Sequence, residues 1–447
     1  MGKLIIIPKE IVTVNSNNDI LRDHFIEVID GKISRIDVLG SLNTDNYEGE
    51  IIQAEDRTLI PGLIQTHVHL CQTLFRGMAD DLDLLDWLQQ RIFPYENAHN
   101  KQSLGASAKL GLYEMQRGGT TAIMDMGTLN YQEVIFEEMI SSGIRGFAGK
   151  SMIDQNNLFP DFKESREDSM TSSLEYARAF HGAGNGRIKY GFAPRFALSC
   201  TEALLKDIGE AMSDFNGSLY HTHSSENLDE IAAVRDMTGK ENVEYFSSIG
   251  VLNKNTVLAH CIHLNEHEIS LMKNSGASVA HCPSSNLKLG SGIADIPRYL
   301  KEGINVSLGA DGAPCNNSLS IFNEMRLASL IQKPIYGASE MDAGKVFRLA
   351  TIDGARALNM ENEIGSVEPG KFADLVLINI NSASTSLIEN EESIYSDIVY
   401  SCSDDNITDV MVNGQWVVRN SSHLKYDEKE LVSEGKSELE NLLRRVN

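Results

Sequence analysis

Two histidines, His67 and His69, are the residues whose types and spacing most directly suggest chemistry. They close the apolar run LIPGLIQT, and side chains two residues apart on an extended backbone point to the same side. The two imidazoles can therefore face one point in space, and imidazole is the commonest protein ligand for zinc and similar ions. Such pairs also arise by chance among buried or surface histidines, so a metal site needs further ligands downstream.

A second candidate cluster is the segment HTHSSE, which begins at His221. It places His223 three residues before Glu226, so the histidine can hold an ion while the carboxyl group faces a ligand. His221 shares the face of His223 and could compete with it as the metal ligand, although the spacing to Glu226 favours His223. The alternative is an ordinary polar loop in which Ser224 or Ser225 caps a helix.

His260 and Asp311 complete the set of chemically suited residues. His260 ends an apolar run; alone it fits a buried core position, but beside a metal it suits proton exchange with water. Asp311 lies near two glycines in LGADGAP, which allow close approach to a ligand, whereas the isolated residue fits a turn. Three histidines and one aspartate leave an open coordination position, as catalytic zinc sites do, and such an ion lowers the pKa of a water ligand toward about 7. The sequence thus predicts metal-assisted hydrolysis.

The elements that must position these residues alternate between strands and helices through the middle of the chain. Eight β/α periods fit a TIM-type (β/α)8 barrel, whose typical size is about 250 residues. The alternative is an open doubly wound sheet, but the glycine-rich phosphate fingerprint is absent after the first predicted strand. The predicted strands are residues 63–69, 120–126, 144–152, 188–193, 218–223, 256–263, 277–281 and 304–309, and the predicted helices include 102–116, 201–214, 266–274 and 319–331.

The predicted barrel can be tested against the positions of the candidate residues, because functional residues of such barrels lie at the carboxyl ends of the strands. The candidate residues do lie there. His67 and His69 end the first predicted strand, Arg195 follows the fourth, and His223 ends the fifth; His260 and His263 end the sixth, His281 the seventh and Asp311 the eighth. Scattered structural histidines would not be expected to fall in this pattern.

The sequence predicts short strands at both ends of the chain. Residues 25–30 and 32–38 alternate around Asp30-Gly31, a hairpin signal, and residues 374–380, 410–412 and 415–418 read in the same way. Neither end has enough strands for a core of its own. We therefore expect a small β-sandwich domain formed from residues 1–60 and 365–447, with the barrel of residues 61–364 inserted between them.

The bulk composition excludes several classes of protein. A formal charge of −24 argues against nucleic acid as a partner, because phosphate binding needs clustered Lys and Arg. The six cysteines are widely spread without a CxxC pair, which favours a reducing compartment. The N-terminal apolar run is too short for a signal peptide, and no segment reaches the roughly 18 apolar residues of a membrane span, so we expect no membrane partner and a cytoplasmic protein.

Four longer motifs carry a resemblance to a known family. They are PGLIQTHVHLCQTLFRGMADDLDLLDWL from Pro61, HCPSSNLKLGSGIADIP from His281, LGADGAPCNNSL from Leu308 and IGSVEPGKFADLVL from Ile364. Over nearly its whole length the chain resembles the amidohydrolase superfamily and, within it, the TRZ/ATZ branch. That branch includes 5'-deoxyadenosine deaminases, 5-methylthioadenosine/S-adenosylhomocysteine deaminases, guanine deaminases and s-triazine hydrolases.

The resemblance implies a role for each candidate residue. The metal ligands would be His67, His69, His223 and Asp311. Glu226 would protonate a ring nitrogen of the substrate, His260 would orient and deprotonate the water, and Asp311 would then pass a proton to the departing amine.

The resemblance also bears on the number of metal ions. Binuclear relatives bridge two ions with a carboxylated lysine, and Lys150 and Lys189 lie in the third and fourth predicted strands. Because Lys189 falls well before the end of its strand, a single divalent ion is expected. Zinc is the first choice, with iron and manganese as alternatives, since His/Asp sites accept all three.

Three further residues bear on the substrate. Trp87, with Glu96 nine residues later, resembles the methylthioadenosine-type deaminases, in which the tryptophan contacts the nucleoside and the glutamate accepts hydrogen bonds from both ribose hydroxyls. Arg195 departs from that group, where many members have a histidine. An arginine at this point resembles the 5'-deoxyadenosine deaminases, guanine deaminases and triazine hydrolases instead.

The resemblance therefore implies a zinc-type hydrolytic deaminase of a purine nucleoside. It would convert a 5'-modified adenosine (5'-deoxyadenosine, 5-methylthioadenosine or S-adenosylhomocysteine) or adenosine itself to the inosine analogue and ammonia. Guanine deaminase or s-triazine aminohydrolase or chlorohydrolase is the alternative, and a non-catalytic scaffold of the same fold is a more distant one. A homo-oligomer, dimer or larger, is expected from the habit of the family.

Overall fold

The structure is a computed structural model that describes residues 2–45, 47–387 and 391–446. Its strands fall into two sheets, one at the chain ends and one in the middle. The end strands are β1 (Lys3–Val12), β2 (Ile20–Arg22), β3 (His24–Ile29), β4 (Lys32–Val38) and β5 (Glu50–Pro61). The middle strands are β6 (Leu63–Val68), β7 (Thr120–Asp125), β8 (Arg145–Ala148), β9 (Ser151–Met152), β10 (Ile188–Pro194), β11 (Leu219–Ser224), β12 (Thr256–His260), β13 (Ser278–His281) and β14 (Val306–Leu308). The last strands are β15 (Leu375–Ile378), β16 (Ile407–Val412), β17 (Gln415–Arg419) and β18 (Ser422–His423).

The two ends of the chain come together, as the sequence predicts, and their strands form one mixed sheet. The strand order is β18-β17-β16-β15-β5-β1-β3-β4, with β2 beside β1. The long strand β5 joins the two halves, because it runs parallel to β1 on one side and antiparallel to β15 on the other. Its strands are hydrogen-bonded into a single continuous sheet.

The middle strands form the predicted barrel of parallel strands, in the order β6-β7-β8-β10-β11-β12-β13-β14, with β9 beside β10. Between β14 and β6, a parallel bridge joins Val68 to Asp311, and the Asp311 N–H donates to the His67 carbonyl at 3.0 Å. The Thr66 hydroxyl also donates to the Leu308 carbonyl at 3.2 Å. These contacts close the barrel at the point where the sequence places its first and last candidate ligands.

Helices follow most of the barrel strands and cover the outside, and the last two follow strands of the end sheet. They are α1 (Leu84–Trp87), α2 (Phe93–Asn97), α3 (Lys101–Arg117), α4 (Gln132–Ser142), α5 (Arg166–Phe180), α6 (Glu202–Ala211), α7 (Leu228–Thr238), α8 (Asn242–Ser248), α9 (Glu266–Ser275), α10 (Pro283–Lys288), α11 (Ile296–Lys301), α12 (Ala313–Asn316), α13 (Ile321–Leu330), α14 (Lys333–Tyr336), α15 (Ala343–Leu349), α16 (Ile352–Ala357), α17 (Glu391–Ser396) and α18 (Glu428–Leu443). A π-helical turn, Leu88–Ile92, joins α1 to α2. In the part of the chain described, no helix has the length and apolar character that crossing a membrane requires.

The third predicted strand, residues 144–152, differs from expectation because it is divided into β8 and β9. The two residues between them are Gly149 and Lys150. A Cβ on Gly149 would lie 1.7 Å from the Gly191 carbonyl oxygen, so the chain approaches its neighbouring strand too closely for any side chain there. The Lys150 N–H then donates to the Tyr190 hydroxyl at 3.2 Å instead of to a strand partner. A side chain thus takes over the hydrogen bond that a continuous strand would make.

Candidate metal centre and active site

Four side chains converge at the carboxyl end of the barrel strands, namely His67, His69, His223 and Asp311. One ligand atom from each lies within 4.8 Å of all the others. The Nε2 atoms of His67 and His69 lie 3.2 and 3.3 Å from Asp311 Oδ1, and His69 Nε2 lies 3.3 Å from His223 Nε2. The structure therefore brings together the four residues that the sequence predicts as ligands.

The arrangement fits a metal ion better than a set of mutual hydrogen bonds. His67 Nε2 is buried and forms no hydrogen bond in the described residues, although Asp311 Oδ1 is only 3.2 Å away. The two atoms approach without the geometry of a hydrogen bond, as expected when both direct lone pairs at a common point. Three imidazole nitrogens and one carboxylate oxygen are a donor set suited to zinc or a similar divalent ion.

The outer nitrogens of three imidazoles are held so that the inner nitrogens face the centre. The Nδ1–H of His223 donates to the Arg195 carbonyl at 2.6 Å. His260 Nδ1 lies 2.8 Å from the Asn286 side-chain oxygen, and His67 Nδ1 lies 2.8 Å from His221 Nε2. Because a neutral imidazole carries one hydrogen, donation through Nδ1 leaves the Nε2 lone pair free.

His221 is thus not one of the four converging residues but the partner of one of them. The alternative of a helix cap at Ser224 or Ser225 is wrong, since α7 is capped by the Asn227 side chain, which accepts from the Asp229 N–H at 2.9 Å. This leaves Glu226 free to face the cavity, which it lines.

The groups suited to proton transfer lie beside the metal cluster. His260 Nε2 lies 3.5 Å from Glu226 Oε2 and 3.9 Å from Asp311 Oδ2. Burial raises the pKa of Glu226 to about 7. Burial also acts to raise the pKa of Asp311, but the imidazoles around it, His67 first, outweigh this and hold its pKa well below the usual range. One carboxyl group can therefore carry a proton at neutral pH while the other stays ionised.

Two residues of α10 hold the proton-transfer groups, and sequence analysis did not single them out. The Ser285 hydroxyl donates to Asp311 Oδ2 at 2.6 Å, while the adjacent Asn286 contacts His260. Glu324 in turn accepts from the Ser284 N–H at 3.1 Å and so fixes the start of the helix. Ser285 and Asn286 both lie in the motif HCPSSN. The motif indicated that this segment matters, but it did not show that these two side chains contact Asp311 and His260.

The residues predicted to bind substrate lie in two different positions. Trp87 and Arg195 line the cavity above the cluster, together with Leu84, Leu88 and Phe196. Glu96 lies behind them and is fully buried; its Oε2 accepts from Arg195 Nη1 at 2.7 Å and its Oε1 from Gln72 Nε2 at 2.8 Å. Glu96 therefore holds Arg195 in this arrangement, and Gln72, which the sequence did not single out, holds Glu96.

The cavity itself is small. Its free volume is about 20 Å³, room for one or two water molecules and far below the ~300–1,000 Å³ of typical ligand pockets. The outer wall is Leu84, Trp87 and Leu88, from α1 and the π-helical turn.

Both candidate bridging lysines have partners outside the cluster. The Lys150 ammonium pairs with the Glu164 carboxylate, and the Lys189 ammonium lies 3.7 Å from Glu363. His263 was predicted to end the sixth strand, but β12 ends at His260 and His263 lies in the following loop, where it donates to the Ser291 carbonyl at 2.7 Å. His281 ends β13 and is fully buried. The described residues thus hold one group of converging ligands.

Comparisons with known proteins agree with this geometry. The model of the amidohydrolase family matches residues 58–417. A 5'-deoxyadenosine deaminase from Methanocaldococcus jannaschii is 36% identical over 414 residues, which are 92% of this chain and 95% of that protein. A 5-methylthioadenosine/S-adenosylhomocysteine deaminase from Bacillus cereus is 33% identical over 428 residues, covering 95% of this chain and 96% of that protein.

A solved structure is similar over the whole fold. It is an adenosine deaminase from Xanthomonas campestris with bound zinc, 28% identical, with a TM-score of 0.91 that covers 99% of this chain and 98% of that one. The comparisons thus join the same fold to deamination of adenine nucleosides and, in one relative, to zinc.

Proposed function

The chain belongs to the amidohydrolase family, and on that premise we propose that it is a hydrolytic deaminase of adenosines with a modified 5' position. Water would add to C6 of the adenine ring, the bond from C6 to the amino nitrogen would break, and the inosine analogue and ammonia would leave. The observation that carries the proposal is the juxtaposition of a four-ligand cluster with Glu226, a buried carboxyl group that can be protonated at neutral pH.

His67, His69, His223 and Asp311 would hold one divalent ion, and zinc is proposed because a relative of the same fold binds it. Such an ion lowers the pKa of water toward about 7 and so makes hydroxide available at neutral pH. A single ion is favoured because both candidate bridging lysines are paired outside the cluster.

Three side chains would move protons. His260, whose Nδ1 is held by Asn286, presents the Nε2 lone pair and would orient and deprotonate the attacking water. Glu226 would donate its proton to a ring nitrogen of the adenine, which makes C6 more electrophilic. Asp311, held by Ser285, would take the remaining proton of the added hydroxyl group and pass it to the departing amine, which leaves as ammonia.

Trp87 and Arg195 would contact the nucleoside, since both line the cavity. Glu96, which is fully buried behind Arg195, would accept the ribose hydroxyls once residues 76–97 open, because each of its oxygens accepts one hydrogen bond inside the protein and keeps a second lone pair for a hydroxyl. Two of the relatives are named 5'-deoxyadenosine deaminase and 5-methylthioadenosine/S-adenosylhomocysteine deaminase, and the nucleosides in those names are the proposed substrates.

The test of the function is ammonia release by zinc-loaded protein from a panel of compounds. The panel is 5'-deoxyadenosine, methylthioadenosine, S-adenosylhomocysteine, adenosine, guanine and a chlorotriazine. We expect the highest kcat/KM among the 5'-modified adenosines. Turnover of guanine or the triazine without turnover of any nucleoside would overturn the proposal.

A glutamate variant tests how the ribose is recognised. Glu96→Ala should raise KM for the nucleosides far more than for an adenine derivative lacking ribose hydroxyls, because it removes the proposed acceptor of both hydroxyls. Steady-state kinetics on the two compounds measure the difference. Glu202→Gln serves as the control, since it alters an exposed carboxylate away from the cavity lining and should leave both KM values unchanged. An equal change in KM for both compounds would refute the role of Glu96.

The protein is also proposed to be a homo-oligomer, following the habit of the family. Light scattering coupled to size-exclusion chromatography checks this, and a mass of 49.3 kDa would show a monomer instead.

A further inference from the structure

Two imidazoles are in direct contact beneath the metal cluster, and only one of them belongs to it. His67 Nδ1 and His221 Nε2 are 2.8 Å apart, with ring centroids 4.9 Å apart and ring planes at 70°. The other nitrogen of His221, Nδ1, lies 3.0 Å from the Val257 carbonyl oxygen. Val257 is the register partner of His221 on the neighbouring strand, and neither imidazole has any exposed surface.

The direction of both hydrogen bonds follows from the carbonyl group. A carbonyl oxygen can only accept, so His221 Nδ1 carries a hydrogen and donates to Val257. His221 is buried with no carboxylate within ion-pair distance among the described residues, and a charged imidazolium there would be strongly disfavoured. The neutral ring then has no hydrogen on Nε2, which must accept from His67 Nδ1. His67 is left with a lone pair on Nε2, the atom that faces Asp311 and the cluster.

We propose that His221 is a positioning residue that fixes the tautomer and the ring orientation of His67, so that the Nε2 lone pair of His67 faces the metal ion. This inference rests on the metal site of the proposed function. His221, the first histidine of HTHSSE, is then a support for a metal ligand and not a competitor of His223 for the metal. Partners of this kind commonly contribute 10–100-fold to metal affinity, since they remove wrong tautomers and wrong ring angles.

Among the three histidine ligands, His67 is the one whose outer nitrogen contacts a side chain. His223 donates to a backbone carbonyl, that of Arg195, which no substitution removes. His69 has no hydrogen-bond partner for Nδ1 in the part of the chain described. Loss of one side chain, His221, should therefore loosen one ligand specifically.

The test is the zinc dissociation constant, measured by competition with a chromophoric chelator. His221→Leu removes the acceptor and should weaken zinc binding about 10–100-fold. His221→Gln restores an acceptor oxygen near the Nε2 position and should recover most of that loss. His99→Leu is the matched control, because His99 is another buried imidazole with partners on both nitrogens, the Cys71 carbonyl at 2.8 Å and the Ser103 hydroxyl at 3.0 Å. It should lower stability but leave zinc affinity unchanged.

The outcomes separate the positioning role from the metal site itself. Wild-type affinity in His221→Leu, no recovery in His221→Gln, or an equal loss in His99→Leu would overturn the positioning role while leaving the metal site standing. A wild-type protein that binds no zinc would overturn the metal site instead.

A measurement on the unaltered protein decides the case if His221→Leu does not fold. Nitrogen-15 spectra of histidine-labelled, zinc-loaded wild-type protein should show the hydrogen of His67 on Nδ1. A hydrogen on Nε2 would contradict the proposal.

Discussion

Glu226 combines deep burial with a position next to His260, and burial raises the pKa of its carboxyl group to about 7. Below that pH the group holds the proton that the proposed acid step uses, so kcat/KM should fall as the pH rises through about 7. Glu226→Gln keeps the size of the side chain but has no transferable proton. We expect deamination to fall about 10²–10⁴-fold with the zinc content unchanged, measured by ammonia release and metal analysis. Full activity in this variant would refute the acid role.

His99 makes the stability of the protein depend on pH. Burial lowers its pKa from 6.5 to about 4, although its bond to the Cys71 carbonyl acts in the opposite direction. Between these values the unfolded chain binds a proton that the folded protein does not, so stability is lost as the pH falls below 6.5. Relative to His99→Gln, the wild type should lose about 2 kcal/mol of unfolding free energy between pH 7 and pH 5. Denaturant unfolding of both proteins at the two pH values measures this, and parallel changes would contradict it.

The candidate ligands could be predicted from the sequence because each lies at the end of an apolar run, and the ends of barrel strands lie close together in space. The side chains that position the functional residues could not be predicted in the same way. Gln72 contacts Glu96, and Asn286 contacts His260, across distances of 24 and 26 residues that no spacing rule covers. The family and the fold are confirmed; the catalytic roles of the site residues stay predictions.

Among the elements, the helical segment from α1 to α2 has a consequence for substrate entry. A cavity of about 20 Å³ is too small for a nucleoside, and its outer wall is Leu84, Trp87 and Leu88. The barrel strands on the other side are tied into the sheet, whereas this segment contains a π-helical turn, a feature common at functional sites. We therefore expect residues 76–97 to open and close over the cavity.

Hydrogen exchange measures this motion. Adding 5'-deoxyadenosine to the Glu226→Gln protein, which should bind without rapid turnover, is expected to slow exchange in residues 76–97. The helix α9, on the barrel wall after β12 and absent from the cavity lining, is the internal control and should not change. Full protection of residues 76–97 before the nucleoside is added would contradict a moving segment.

Periodicity predicted the elements well where one face or both faces of a strand are apolar, as in β6 and β7, whose residues are all buried. It predicted too long an eighth strand, residues 304–309 against Val306–Leu308, because the chain leaves the sheet to place Asp311. Asp311 has a φ of 61°, a left-handed backbone that cannot continue a strand. The division of the third strand likewise depends on a contact with Tyr190 that lies outside any local pattern.

At the scale of the whole molecule, the end sheet and the barrel are joined by a buried ion pair. Arg145 lies at the start of β8. Its Nε donates to Asp374 Oδ2 at 2.6 Å, and its Nη2 donates to Asp374 Oδ1 at 3.1 Å. Asp374 also accepts from the Asn413 N–H at 2.7 Å, and its carbonyl accepts from the Gly62 N–H at 2.9 Å. The Asp374 carboxylate thus links the barrel to the C-terminal half of the end sheet, and its main-chain carbonyl binds the residue between β5 and β6.

Removing one partner of this pair should destabilise the protein strongly, because it leaves a buried charge without compensation. Asp374→Leu is expected to cost about 3–5 kcal/mol, whereas Arg145→Met combined with Asp374→Leu should recover much of the loss, since both charges are then gone. Thermal unfolding of the two single variants and the double variant measures this. Glu202→Gln breaks the exposed pair between Glu202 and Lys206 and should leave the Tm unchanged. A double variant that is destabilised by the sum of the two single changes would show that the two charges do not act as a pair.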